Sequence, residues 1–226
     1  MAFKRKRFAK KRKFVRRKKT FRRKKIGRRS SPMAATMVRG NDWISNKLVT
    51  TLEYRERVYL TALGTPFDYA FRGNGAFDPN QTGTGSSCLG FANLTAIYTQ
   101  YECPYSSITV EYINNGVQPC WVLVSPVNTV RNPTVEQIVG VPGARKKYCT
   151  SKTDDQHVIV TNKSSTWKVL NLSSKSGETK ANVTTNPNSQ WYWAVSIVSC
   201  DNVTALTGIL MITIRYRTIF SGRKDV

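Results

Sequence analysis

The chain predicts an all-β body, folded as one antiparallel sandwich or barrel, preceded by a cationic arm without structure of its own. Three observations carry this. Apolar and polar residues alternate with a period of two through most of the chain beyond residue 47, the signature of half-buried strands. Clusters of Gly, Pro, Asn and Ser separate the alternating runs. And the first 29 residues hold eighteen Lys or Arg with no Asp or Glu.

The arm comes first. The whole chain has 36 basic and 13 acidic residues, a net charge of +23; outside the arm 18 basic residues face the same 13 acids, leaving +5. A segment so charged cannot bury enough apolar surface to offset its ordering entropy, so residues 1–29 are expected to be disordered alone and to need a polyanion. Each cation that neutralises a phosphate releases counterions, giving tight, sequence-indifferent and salt-sensitive binding. The expected nucleic-acid-binding residues are Lys4, Arg5, Lys6, Arg7, Lys10, Lys11, Arg12, Lys13, Arg16, Arg17, Lys18, Lys19, Arg22, Arg23, Lys24, Lys25, Arg28 and Arg29. Phe3, Phe8, Phe14 and Phe21 interleave with them at no helical period and could stack on unpaired bases, favouring a single strand. The same run suffices as a nuclear localisation signal, readable by host nuclear import receptors. Residues 30–46, opening with the low-charge SSPMAATMVRGN, form a hinge.

Residues 47–226 are the folded domain. Leu48–Leu60 alternates, with Leu52, Tyr54, Val58 and Leu60 on one face; Glu56 falls on that apolar face as a misfit. The opposite face carries Arg55 and Arg57, which with Arg39 and Lys47 are secondary candidates for nucleic-acid contact. Phe67–Arg72 is a short extended piece, and the Gly/Ser/Thr-rich stretch 73–90 reads as an exposed loop. Leu94, Ile97, Tyr98 and Tyr101 lie at helical spacing, predicting a covering helix over Phe91–Tyr101. Ser106–Asn114 and Gln118–Ser125 read as strands joined by Asn114-Asn115-Gly116, a hairpin signal. Val135–Val141 suggests one helical turn before Pro142-Gly143. Further strands are expected at His157–Asn162, Thr166–Leu170, Gln190–Ser199 and Thr207–Phe220, the last buried on both faces until Arg215. Asn171–Ser189 is polar and reads as a surface loop, and Pro104, Pro119, Pro126 and Pro133 are expected at strand margins.

Catalytic and metal chemistry find little support, so no enzymatic activity and no cofactor is expected. Five scattered cysteines (Cys88, Cys103, Cys120, Cys149, Cys200) make no CxxC pair and read as reduced, buried thiols. His157, the single histidine, has no nucleophile motif beside it, and Asp154-Asp155 reads as a solvated turn. The longest apolar stretch, Gly208–Ile214, is far short of the ~20 residues of a membrane span, and no secretory signal is expected. The five Asn-x-Ser/Thr sequons, at Asn93, Asn162, Asn171, Asn182 and Asn202, fit Thr- and Asn-rich strands and turns.

The basic arm and the YTQYECPYSSITVEY stretch (Tyr98, Tyr101, Ile108, Val110, Tyr112) resemble the capsid proteins of circovirus-like viruses, which have small circular single-stranded DNA genomes. The turn Pro142-Gly143-Ala144-Arg145-Lys146 and the closing Ile214-Arg215-Tyr216-Arg217 are similar in character. The resemblance implies an eight-stranded jelly roll, assembled as a homo-oligomeric icosahedral shell of sixty copies. Its strands would fall at 48–61, 67–72, 106–114, 119–126, 157–162, 165–170, 190–199 and 207–220. It also implies packaged single-stranded DNA, a virion component, and passage through the host nucleus during assembly. Sixty arms would carry about 1,080 positive charges, matching roughly a thousand nucleotides. The capsid of a small or satellite single-stranded RNA virus follows the same logic of arm and sandwich, and a cellular nucleic-acid-binding module is the third reading.

Overall fold

Alternation in the chain becomes a pair of facing sheets. The computed structural model describes residues 45–63, 67–129, 140, 142–151, 156–173, 177–201 and 203–224. Nine strands lie among them: β1 (Lys47–Leu63), β2 (Phe67–Arg72), β3 (Tyr98–Asn114), β4 (Cys120–Val127), β5 (Arg145–Cys149), β6 (His157–Ser165), β7 (Lys180–Asn182), β8 (Tyr192–Ser199) and β9 (Leu206–Arg223). Two one-turn helices, α1 (Phe91–Thr95) and α2 (Thr166–Leu170), sit in connections.

The first sheet runs β1-β9-β3-β6, with the short β7 also on β3; the second runs β2-β8-β4-β5. Every pairing is antiparallel. The two ends of the domain meet side by side, β1 on β9, while β2 pairs with β8. Most consecutive strands change sheet. That order is the jelly roll, in which two four-stranded sheets are wound by Greek-key crossings.

The core lies between the inward faces. Even-numbered residues of β9 (Leu210, Ile212, Ile214, Tyr216, Phe220) and of β3 (Ile108, Val110, Tyr112) meet Val122, Val124, Trp193, Val195 and Ile197 from the second sheet. The polar atoms of the two core tryptophans are paired. Trp193 Nε1 donates to Ser106 Oγ at 3.0 Å, which donates to Gly73 O at 2.6 Å. Trp191 Nε1 donates to Thr166 Oγ1 at 3.0 Å, which in turn donates to Cys103 O at 2.6 Å. The two indoles meet edge to face at 4.9 Å. Gly73 is required there: a Cβ would stand 2.5 Å from the Trp191 ring. Asn162, inside a sequon, is buried in β6 and donates to Val124 O and Gly143 O, both at 2.9 Å, linking the first sheet to the second.

The structure corrects several local expectations. Thr166–Leu170 is the helix α2, so of the two strands expected at 157–162 and 165–170 only the first exists, as β6, which ends at Ser165; the missing strand is β5, in the segment read as a turn. Trp167 and Val169 alternate as a strand would, but Thr166 accepts the Trp191 indole N–H at 3.0 Å and the chain turns helical from there. The helix at 91–101 stops at Thr95, because Tyr98 and Tyr101 point into the core from β3. Asn114-Asn115-Gly116 makes no hairpin, since β3 and β4 belong to different sheets. Instead Asn114 is buried, accepts from Gly116 N at 2.9 Å and donates to Gln118 O and Thr150 O at 2.8 Å, turning the chain across the sandwich.

Other differences concern burial. Pro104 lies inside β3, at the register shift between Glu102 and Tyr105, where a bulge absorbs its missing donor. The stretch 73–80 is mostly buried rather than an exposed loop, and within 171–189 a 3-10 turn and β7 bury Thr179, Ala181 and Val183. β9 is fully buried on one face only. Four cysteines are buried thiols as expected, and Cys200 is exposed. The turn expected at Val135–Val141 falls, apart from Gly140, outside the described residues.

Candidate nucleic-acid interface

The arm residues Lys4 to Arg29, and Arg39, lie outside the described residues. Lys47, Arg55 and Arg57 are described. All three stand on β1 with exposed side chains, on the outward face of the first sheet, because odd-numbered residues of β1 point away from the core.

Register then decides what joins them. One row across the sheet reads Glu53, Arg215, Ser107, Lys163; the next Arg55, Thr213, Thr109, Thr161; the next Arg57, Met211, Glu111, Ile159. On the other side lies Thr51, Arg217, Tyr105, Ser165. Over these four rows five cations (Arg55, Arg57, Lys163, Arg215, Arg217) face two acids, Glu53 and Glu111. Lys47 stands apart, at the far end of β1 opposite Ser221. Short Ser and Thr side chains at the centre leave an open groove of about 800 Å³ lined by Arg55, Arg57, Arg215, Ser107, Thr109, Thr161 and Thr213, with Glu111 and Met211 at one end and the inward-facing Glu56 and Ile212 also bordering it.

Glu53 organises the groove wall. It receives Arg55 Nε at 2.5 Å and Arg215 Nε at 2.8 Å. The hydrogen bond from Arg215, then that from Arg55, holds its carboxyl below the usual carboxylate range, so it stays ionised. Both guanidiniums spend only Nε on Glu53; their terminal amino groups bond no described residue. Arg55 and Arg215 side chains are 74% and 63% exposed, so these forks face solvent. Planar forks of this kind match phosphate or carboxylate oxygens.

Arg215, Arg217 and Lys163 were not singled out as binding residues by the sequence reading. Their signal was parity: each lies on the outward phase of its strand. Only the pairing of β1 with β9 brings Arg215 beside Arg55, 160 residues earlier.

Elsewhere the chemistry is sparse. His157 Nε2 is 3.9 Å from Glu111 Oε2 on the open sheet. Among the described residues no three His, Cys, Asp or Glu side chains group as metal ligands, and no helix is long and apolar enough to cross a membrane. Asp154 and Asp155 lie outside the described residues.

No family model and no curated protein matches the chain. Among solved structures it is similar to Desmodium yellow mottle tymovirus (14% identity, 81% of this chain and 86% of that one, TM-score 0.43). It is also similar to Cocksfoot mottle virus (11% identity, 79% and 96%, TM-score 0.46). A third is the 60-mer BFDV capsid protein (11% identity, 81% and 98%, TM-score 0.43). The jelly-roll assignment itself rests on the strand order and register above.

Proposed function

We propose that this chain is a structural capsid protein that assembles with its own copies into a closed shell and packages single-stranded nucleic acid through residues 1–29. One observation carries the reading. Eighteen cations are confined to an arm of 29 residues, while the remaining 197 carry only +5 and include a jelly roll. A monomeric nucleic-acid reader would need a base-reading element on the folded part; a self-packing shell domain needs a nearly neutral body and a cationic tether.

The finer assignment is circular single-stranded DNA in an icosahedral shell of sixty copies, with host nuclear import through the same arm. It follows from the resemblance of the arm and of the Tyr98–Tyr112 stretch to circovirus-like capsid proteins. The alternative is a single-stranded RNA cargo, which a flexible cationic arm would bind equally well.

Electron microscopy of the purified full-length protein tests assembly: closed particles are expected, and a stable species of about 25 kDa at every salt and protein concentration refutes a shell. Nuclease treatment of the nucleic acid extracted from the particles tests the cargo. Loss to DNase is expected, and loss to RNase alone overturns the DNA assignment.

A further inference from the structure

The groove on the outward face of the first sheet is a candidate binding site in its own right. Its wall is a pair of guanidiniums that share one carboxylate. Arg55 and Arg215 converge on Glu53 from neighbouring strands, and each engages that carboxylate through Nε. Its floor is hydroxyl-bearing: Thr213, Thr109 and Thr161 lie in one row, and Ser107 beside Arg215 in the next. Thr109 and Thr161 hydroxyls are 3.3 Å apart, a weak mutual contact that an incoming oxygen acceptor can replace. Residues two apart on a strand repeat at ~6.8 Å, so Arg55 and Arg57, like Arg215 and Thr213, offer successive donors along an extended polyanion.

The composition selects among occupants. Over the four outward rows five cations, Lys163 and Arg217 among them, face Glu53 and Glu111, so the ligand is anionic; this excludes the chain's own arm. An open floor of short side chains accepts a flat, extended strand. No aromatic side chain lines the floor, so the floor itself contacts phosphate and sugar, and the bases reach only the flanking Tyr59 and Met211.

We infer that the Arg55–Glu53–Arg215 clamp and the Thr213–Thr109–Thr161 floor form a second nucleic-acid site, holding the sugar-phosphate backbone of a single strand on the sheet. This deepens the packaging reading and rests on it for the biological source of the strand, while the binding chemistry stands independently.

The test uses the full-length protein with 5-bromo-substituted single-stranded oligonucleotides, one deoxyribo and one ribo, photo-crosslinked and mapped by mass spectrometry. Crosslinks are expected in peptides containing Tyr59 or Met211 as well as in the arm. The double variant R55A/R215A should lose the former and keep the latter. Its slope of log affinity against log salt should fall by roughly 1.4, two phosphate contacts at ~0.7 each. The double variant R55K/R215K, which keeps charge but not the fork, should retain most of the slope and lose the sheet crosslinks, and unchanged circular dichroism checks the fold of both. Arm-only crosslinking in the parent, or a slope unchanged in R55A/R215A, overturns the site. Particles that fail to form while the sheet crosslinks persist would refute the shell and leave the groove standing. Equal crosslinking of both oligonucleotides shows backbone recognition alone, and preference for the ribo strand shows that the hydroxyl floor reads the 2′-OH.

Discussion

Asn80 Nδ2 lies 3.1 Å from both carboxylate oxygens of Glu56. The misfit acid on the apolar face of β1 is thereby the anchor of the buried stretch that follows β2. Tyr54 and Tyr69 hydroxyls also donate to Glu56, the latter at 3.1 Å, and Asn80 Oδ1 receives Thr82 N at 3.0 Å. Replacing Glu56 by Ala should leave the Tyr54 and Tyr69 hydroxyls without their acceptor, while Asn80 Nδ2 keeps only Tyr69 Oη at 2.8 Å. A loss of about 2–4 kcal/mol in denaturant unfolding is expected, together with faster proteolysis at residues 81–87. Unchanged stability would mean that water substitutes for the carboxylate.

The indole of Trp193 depends on one hydroxyl. Ser106→Ala removes the acceptor of Trp193 Nε1 and the donor to Gly73 O in a site closed to solvent. A cost of about 1–3 kcal/mol is expected, read by urea unfolding followed through tryptophan fluorescence.

Asp68 gives a pH dependence of defined sign. Burial raises its carboxyl above the usual Asp range, and the hydrogen bond from Ser196 offsets this only in part. A raised folded-state pKa contributes stability that is present below the unfolded pKa and lost as pH rises through the folded one. Asp68→Asn, which keeps an oxygen acceptor for Ser196, should therefore gain stability relative to the parent at pH 7 and little or none near pH 3. Thermal unfolding across that range checks it; a gain that is the same at both pH values would assign the effect to packing.

Thiol reactivity should divide one against four. Burial pushes the thiols of Cys103 and Cys120 up to about 12 and that of Cys88 higher, and Cys149 is likewise buried. Cys200 is exposed, and partial burial followed by the nearby Asp201 raises its thiol more modestly. A chromogenic disulfide reagent should titrate one thiol in the folded protein, faster as pH rises, and five in denaturant. Two or more fast thiols would mean that the sandwich opens locally at β4 and β5.

Deleting residues 1–29 should leave the jelly roll folded and able to assemble, with far less nucleic acid enclosed. Absorbance at 260 relative to 280 nm on purified particles reads the cargo. A deletion that unfolds the domain would give the arm a structural role instead.

Strand positions were legible from apolar runs bounded by turn residues, and most plainly in β1 and β9, where burial is one-sided. β1, β2, β4, β8 and β9 fall within three residues of their predicted limits. Legibility failed where tertiary context set the pattern. Arg145–Cys149 is too polar to announce a strand: it is an edge strand with four exposed residues, and only its Cys149 is buried. Tyr98 and Tyr101 keep helical spacing with Leu94 and Ile97 because both are buried from the start of β3, before the phase of the strand shifts at Pro104.

By itself the sequence determined the class of the fold, the separation of a cationic segment from a nearly neutral body, and the parity that turns Arg55 and Arg57 outward. All of these are local, fixed by composition and by the two-residue repeat of a pleated strand. Which strands pair, and therefore that Arg215 shares Glu53 with Arg55 above a row of threonines, only the tertiary structure decided. Pairing between β1 and β9 joins the two ends of the domain, and a strand's own pattern fixes its buried face but not the identity of its neighbour.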